Sequence, residues 1–297
     1  MPSHRDFLID DIMPEREVHL LGGPSGVGKT TLAIQIIKSL QLGQPVFDKP
    51  IHLRGVVYVS CDRTSASLRR AMDRHSLPHD AFPWTCVRDI PDPLGIEQVF
   101  SWRKRTCPDC HLMVVDGFAR LVPDGKISDY KAVADFLTKT AGLCESHDVT
   151  ILGIVHATKV KSGEHFPDPR QRILGSVAWG AFADLLIIMD AADPNNSSDQ
   201  TRIIHVLPRD HAESSKRMVN DSGRLVDMET YSESQYFGVM YSELKKYPED
   251  LTTADLHQVG ATYGISRSTV ERWITDAVDH GKLEHPARGK YRKVPAK

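Results

Sequence analysis

Gly23-Pro24-Ser25-Gly26-Val27-Gly28-Lys29-Thr30 fits the pattern G-x-x-x-x-G-K-[ST], a spacing whose chemistry is the cradling of phosphates. The backbone N–H groups of such a loop converge on an anion, and the helix that follows adds the positive end of its dipole. Lys29 then reaches the β and γ oxygens, Thr30 offers its hydroxyl to Mg²⁺, and Thr31 completes the binding stretch. The ligand implied is a nucleoside triphosphate, with ATP and Mg²⁺ as the expected pair.

Phosphoryl transfer also needs carboxylates. Asp116 ends the apolar run Leu112-Met113-Val114-Val115, where a second acid holds Mg²⁺ or its waters beside a phosphate loop. Asp62 lies just past the run Val56-Val57-Tyr58-Val59 and is the candidate to orient or deprotonate the attacking water. It is also placed to cap the helix that follows, and the two roles are compatible. His156 ends the run Thr150 to Val155, where a side chain would face the γ-phosphate, and Ala157-Thr158-Lys159 after it favours a sensing role over a merely structural histidine.

These residues need a scaffold that brings strand ends together. Val18 to Leu21 reads as a buried strand, and Thr31 to Leu42 as a helix with Leu32, Ile36, Ile37 and Leu40 at helical spacing. Further β-type runs at Leu185 to Met189 and Arg202 to Leu207 join those above. Near-continuous apolar runs suit strands covered on both faces, so an α/β fold with a mainly parallel sheet is expected. Thr64 to Arg74 and Tyr130 to His147 read as helices, the latter with Val133, Phe136, Leu137, Leu143 and Cys144 on one side. Asp193 to Ser198 is a polar turn, expected to close a hairpin at a sheet edge. Apolar periodicity weakens around residues 228–245. The expected division is an ATPase domain over 1–230, a linker over 231–245 and a small domain over 246–297.

That last stretch reads as helix-turn-helix. Thr252 to Tyr263 is a helix with a Thr252/Asp255 capping box, Gly264-Ile265 is a turn, and a second helix starts at Ser266 or Ser268 with Glu271 completing another box. Val270, Trp273, Ile274, Ala277 and Val278 form its core stripe, leaving Arg267, Ser268, Thr269 and Arg272 for a major groove. Gly281 ends the helix, and Leu283 to Val294 resembles a two-stranded wing. Arg288, Lys290, Arg292, Lys293 and Lys297 then give a local basic stripe suited to phosphate contacts, so the module resembles a winged-helix domain that binds duplex DNA.

Overall composition is neutral on nucleic acid: 37 Lys and Arg against 39 Asp and Glu among 297 residues leave a net charge of −2. No signal segment opens the chain, and no apolar run approaches the ~20 residues that span a bilayer, so a soluble, cytoplasmic protein is expected. The five cysteines, an odd number set mostly in or beside apolar segments, suit reduced thiols. Cys107-Pro108-Asp109-Cys110-His111 spells C-x-x-C-H, but no second pair completes a zinc site and haem attachment needs an exported chain; a structural loop is the expectation.

Five motifs in order resemble the RecA-like ATPases, and within them the RepA-like group of hexameric replicative helicases, related to the DnaB, RadA and KaiC cores. They are the phosphate loop, Val57-Tyr58-Val59-Ser60-Cys61-Asp62, Val114-Val115-Asp116, Val155-His156-Ala157-Thr158-Lys159 and Leu174-Gly175-Ser176-Val177-Ala178. The resemblance covers roughly residues 10–225. It implies Asp62 as the catalytic acid, Asp116 as the Walker B acid, and His156 as the residue coupling γ-phosphate to bound single-stranded DNA. It also implies a homo-oligomeric ring, a hexamer, in which an arginine acts across the subunit boundary. Arg209, after the strand Ile203 to Leu207, occupies the place of the finger, with Arg172 as alternative. The chain departs from the family pattern in having Asp62 where a glutamate is usual, Val155 where a second histidine is common, and Asp184 near the place of an arginine. The resulting expectation is an ATP-driven DNA motor, a replicative helicase of phage or plasmid type. The alternative is a DNA-binding initiator or regulator in which ATP only switches assembly, without unwinding. A small-molecule kinase shares the phosphate loop but has no use for the His156 motif or a winged helix.

Overall fold

The apolar runs assemble into one nine-stranded sheet, ordered β11-β10-β9-β8-β3-β7-β6-β4-β5. Its strands are β3 (Val18–Gly22), β4 (Gly55–Ser60), β5 (Trp84–Cys86), β6 (Cys110–Asp116), β7 (Thr150–Ile154), β8 (Leu185–Ala191), β9 (Thr201–Pro208), β10 (Ser214–Asp221) and β11 (Arg224–Asp227). A short antiparallel pair, β1 (Phe7–Ile9) and β2 (Met13–Pro14), precedes them. The computed structural model describes residues 6–52, 55–90, 95–158, 169–192, 200–221, 224–227, 240, 251–262, 265, 267–279, 281, 283–287 and 289–294. The six strands from β8 to β5 run parallel, as the sequence predicts. β9 is antiparallel to β8, and β10 to β9. The hairpin expected at a sheet edge is therefore internal, because two polar strands continue the sheet beyond β9; its turn, 193–198, lies outside the described residues.

Helices cover both faces because alternate strand residues point to opposite sides. One core packs Leu32, Ile36 and Ile37 of α1 (Lys29–Leu42) and Leu68 and Met72 of α2 (Ser65–Arg74) on Leu21, Tyr58, Val114 and Ile187. The other packs α3 (Ile96–Thr106) and α4 (Tyr130–His147) on Leu20, Val59, Val115 and Ile188. A short helix, α5 (Ala178–Phe182), follows the Gly175-Ser176 stretch.

The cysteine expectation needs correction. Cys107 and Cys110 form a disulfide between the C-cap of α3 and the first residue of β6, leaving Cys61, Cys86 and Cys144 as free thiols.

The chain divides after Leu225 into two units. The second, Val226–Lys297, holds α6 (Thr253–Thr262), α7 (Arg267–Asp279) and a three-stranded sheet ordered β12-β14-β13, from β12 (Leu251–Thr252), β13 (Leu283–Ala287) and β14 (Lys290–Lys293). Trp273, Val270, Ile274, Ala277, Leu256 and Leu283 form its core. The Thr252/Asp255 box forms: each backbone N–H reaches the other side chain, at 2.8 and 3.2 Å. Helix α7 starts at Arg267, so Ser268 is already inside it, while Ser266, the other expected start, lies outside the described residues; Glu271 lies 3.7 Å from His257.

Candidate functional site

Strand register decides what meets what. Ser60 pairs with Asp116, Asp116 with Ile154, and Leu21 with both Ile154 and Ile187, so the carboxyl ends of β3, β4, β6 and β7 lie level and β8 runs on past them. In an open α/β sheet this is the edge outside which ligands bind. Residues one or two positions beyond it, Gly23, Asp62 and His156, are thereby gathered around Asp116.

The phosphate loop joins β3 to α1. Gly28 caps the helix with φ 114°, a left-handed conformation natural only to glycine, and no side chain caps the first turn or places an acid in it. The N–H groups at this end are thus directed to an external anion. Lys29 is buried, and its ammonium donates to the carbonyls of Gly23 at 2.8 Å and Pro24 at 2.9 Å. Burial lowers its pKa to about 8, against the attraction of Asp116. A cation held this way stands ready for a more strongly charged partner. Thr30 donates to Asp116 Oδ2 at 3.1 Å, which puts a hydroxyl and a carboxylate together as a Mg²⁺ site requires. These residues fit a Mg²⁺–nucleotide ligand, and Gly23, Pro24, Ser25, Gly26, Val27 and Thr31 sit along the same loop and helix start.

Asp116 Oδ2 gathers two more partners that sequence reading left without a role. The Tyr58 hydroxyl donates to it at 2.8 Å, and Arg63 Nε lies 3.3 Å away. Burial, followed by the charge of Asp116, raises the Tyr58 pKa well above the ordinary phenol value, so this hydroxyl is a fixed donor. A phenol in an otherwise aliphatic buried strand was the signal, since a buried Tyr O–H needs a partner. Arg63 carried no such signal, because its meeting with Asp116 depends on β4 lying beside β6.

Asp62 does not cap α2; Thr64 does, accepting from Ser67 N–H at 3.4 Å. The Asp62 carboxylate instead pairs through Oδ1 with Arg120 Nε, while Oδ2 lies 3.6 Å from His156 Nε2. Gly117 makes the approach possible: its φ is 82°, and a Cβ there would stand 2.8 Å from Asp62 Cγ. The neighbouring Cys61 thiol is pushed up to about 12 by burial and then by Asp62 and Asp116, which makes it no nucleophile.

His156 is held from two sides. Ala157 N–H donates to Gly23 O at 3.0 Å, and Leu174 N–H to His156 O at 2.9 Å. Thr158 N–H donates to Arg172 O at 2.8 Å, and Ala157 bridges Ile173, which closes a stem; Lys159 of the motif lies outside the described residues. Arg172 is buried in an ion pair with Asp190 and also donates to Thr158 O at 3.0 Å. This corrects its candidacy as a finger: a guanidinium so enclosed anchors the stem and is not presented to another chain. Arg202, an unforeseen contributor, is buried at the start of β9 and donates to Val27 O of the phosphate loop at 2.9 Å.

Arg209 follows β9, whose Pro208 pairs with Leu185 at the start of β8, so it stands at the end of the sheet opposite the phosphate loop. It donates to the carbonyls of Ala181 and Ala183 at 2.8 and 3.1 Å and lies 3.4 Å from Asp184. It does not reach the phosphate loop of its own chain.

In the second unit Arg267, Ser268, Arg272, Lys290 and Arg292 are exposed. Thr269 is not: it is buried, because it lies one helical turn before Trp273 on the core side, and its place among groove-facing residues is corrected. Glu284 pairs with Arg292 across β13 and β14, and Arg288 lies outside the described residues.

No helix among the described residues is long and apolar enough to cross a membrane. A family model described as an AAA domain, AAA_25, matches residues 1–162, the stretch carrying the phosphate loop, Asp62, Asp116 and His156. No curated protein matches the chain.

Proposed function

The chain belongs to the AAA_25 family of AAA domains, and from that premise we propose an ATP-driven DNA motor, a RepA- and DnaB-like replicative helicase of phage or plasmid type. Family membership makes it a P-loop ATPase that binds nucleotide. One observation carries the finer reading: the level strand ends that set Asp62, Asp116 and His156 around the phosphate loop.

In this mechanism Lys29 and the N–H groups at the start of α1 bind the triphosphate. Mg²⁺, when bound by Thr30 and Asp116, neutralises charge on the phosphates. Tyr58 and Arg63 hold the Asp116 carboxylate in place. Asp62 orients a water toward the γ-phosphorus and accepts its proton as the new P–O bond forms; the bond to the β-phosphate oxygen breaks, leaving ADP and phosphate. His156, with its ring nitrogen 3.6 Å from Asp62 and its backbone hydrogen-bonded to Leu174, ties the acid to the stem that leads to single-stranded DNA.

The second unit is read as a winged-helix module. The exposed arginines of α7 and the Lys290 and Arg292 pair of β14 support duplex binding through phosphate contacts. Arg209, remote from its own phosphate loop, supports an arginine contributed to a neighbouring subunit and hence a ring, a hexamer by family resemblance. The proposed location is the cytoplasm.

A second reading, an ATP-switched initiator or regulator without unwinding, is favoured by the Arg120–Asp62 pair, which engages the proposed hydrolytic acid. Steady-state ATP turnover with no DNA, single strands or duplex, against Lys29→Ala as blank, separates the two. Strong stimulation by single strands is the expected result. Slow turnover indifferent to single strands selects the regulator, and turnover equal to the blank refutes both.

A further inference from the structure

We propose that Arg120 is a positioning residue that latches Asp62 and restrains hydrolysis until the pair opens. The inference rests on the reading of Asp62 as the hydrolytic acid. Arg120 belongs to a short 3-10 turn, Phe118–Leu121, which begins directly after Gly117, the residue that follows β6. Its backbone N–H donates to Gly117 O at 2.9 Å, so the turn is fixed, while its side chain is 69% exposed. The guanidinium takes Asp62 Oδ1, and Oδ2 faces His156 at 3.6 Å. The guanidinium thus competes with a water for Oδ1 and pulls the carboxylate toward Arg120.

The two partners differ in how they are held. His156 is fixed at its backbone on both sides, to Gly23 through Ala157 and to Leu174, and its half-exposed ring stands 3.6 Å from the carboxylate. Arg120 has a long side chain in solvent and loses little on swinging away. A solvent-accessible ion pair of this kind is weak and salt-sensitive. The latch is therefore reversible, and its removal raises turnover modestly, by roughly two- to five-fold.

The test compares full-length wild type with Arg120→Gln and Arg120→Lys, at saturating ATP and Mg²⁺ without DNA. Arg120→Gln is expected to raise kcat by roughly two- to five-fold with KM for ATP unchanged, and Arg120→Lys to restore the brake. Asp62→Asn combined with Arg120→Gln returns turnover to the Lys29→Ala blank. Raising salt from about 0.05 to about 0.5 M accelerates wild type relative to Arg120→Gln, a readout that a structural role would not move. An unchanged or lowered kcat in Arg120→Gln, with fluorescent-ATP binding intact, overturns the latch alone. Should that variant fail to fold, a wild-type kcat that does not rise with salt overturns it as well. Wild type and Arg120→Gln both at the blank level overturn the ATPase reading itself.

Discussion

Replacing Gly117 by alanine adds one methyl group where the end of β6 meets Asp62, the proposed hydrolytic acid. Two separate effects follow. The residue sits at φ 82°, and a left-handed conformation costs an L-residue about 1–2 kcal/mol. For a unit of this size that lowers Tm by about 2–8 °C. The new Cβ would also lie 2.8 Å from Asp62 Cγ, where ordinary contact begins at 3.4 Å, so the carboxylate must retreat by about 0.6 Å. A misplacement near 1 Å costs ~10²-fold in rate, and a shift of this size is expected to cost between about ten- and a hundred-fold in kcat. Nucleotide affinity should survive, because the phosphate loop is untouched. Gly125→Ala separates the effects: its φ is 65°, yet nothing lies within 4 Å of the position its Cβ would take. That variant should lose stability and keep kcat. Steady-state turnover, fluorescent-nucleotide titration and thermal melting on the three chains decide it. Full turnover in Gly117→Ala would refute the assignment of Asp62, whatever its effect on Tm.

Two further predictions concern titration and oxidation. Burial lowers Lys29 to about 8, and bound phosphates would favour its charged form. Below about pH 8 the ammonium is already present and ATP affinity is flat; above it, binding must take up a proton, so affinity falls toward tenfold per pH unit. A profile flat to about pH 9.5 in a fluorescent-nucleotide titration contradicts this. The unreduced chain, denatured, should expose three reactive thiols, Cys61, Cys86 and Cys144, and five after reduction; five before reduction excludes the Cys107–Cys110 bond.

The parallel sheet and the acids at its edge were legible because strands buried on both faces are near-continuous apolar runs, and their ends are where the runs stop. Helix α3 was equally visible in Ile96, Val99, Phe100 and Arg103 at helical spacing, but passed unread. β10 was not visible: Ser-Ser-Lys-Arg-Met-Val-Asn-Asp has almost no apolar content, as an antiparallel strand with a solvated face allows. The partners of Asp62 and Asp116 were hidden for another reason. Arg63 and Arg120 each follow a strand, and only the adjacency of β4 and β6 makes them neighbours of the opposite acid. The odd count and apolar setting of the cysteines pointed to reduced thiols and hid the Cys107–Cys110 bond, since C-x-x-C suits a loop, a metal and a disulfide alike. Thr269 shows a simpler lapse, because its four-residue offset from Trp273 already places it inward.

The stem closed by Ala157 and Ile173 has a mechanical meaning. Both ends of the segment between them are clamped at one point, and the clamp is tied to the phosphate loop through the Ala157 bond to Gly23 O and to β8 through the Arg172–Asp190 pair. A pull on that segment therefore loads several hydrogen bonds in parallel instead of peeling them one by one. His156 sits beside that clamp, one residue before the Ala157 bond to Gly23 O.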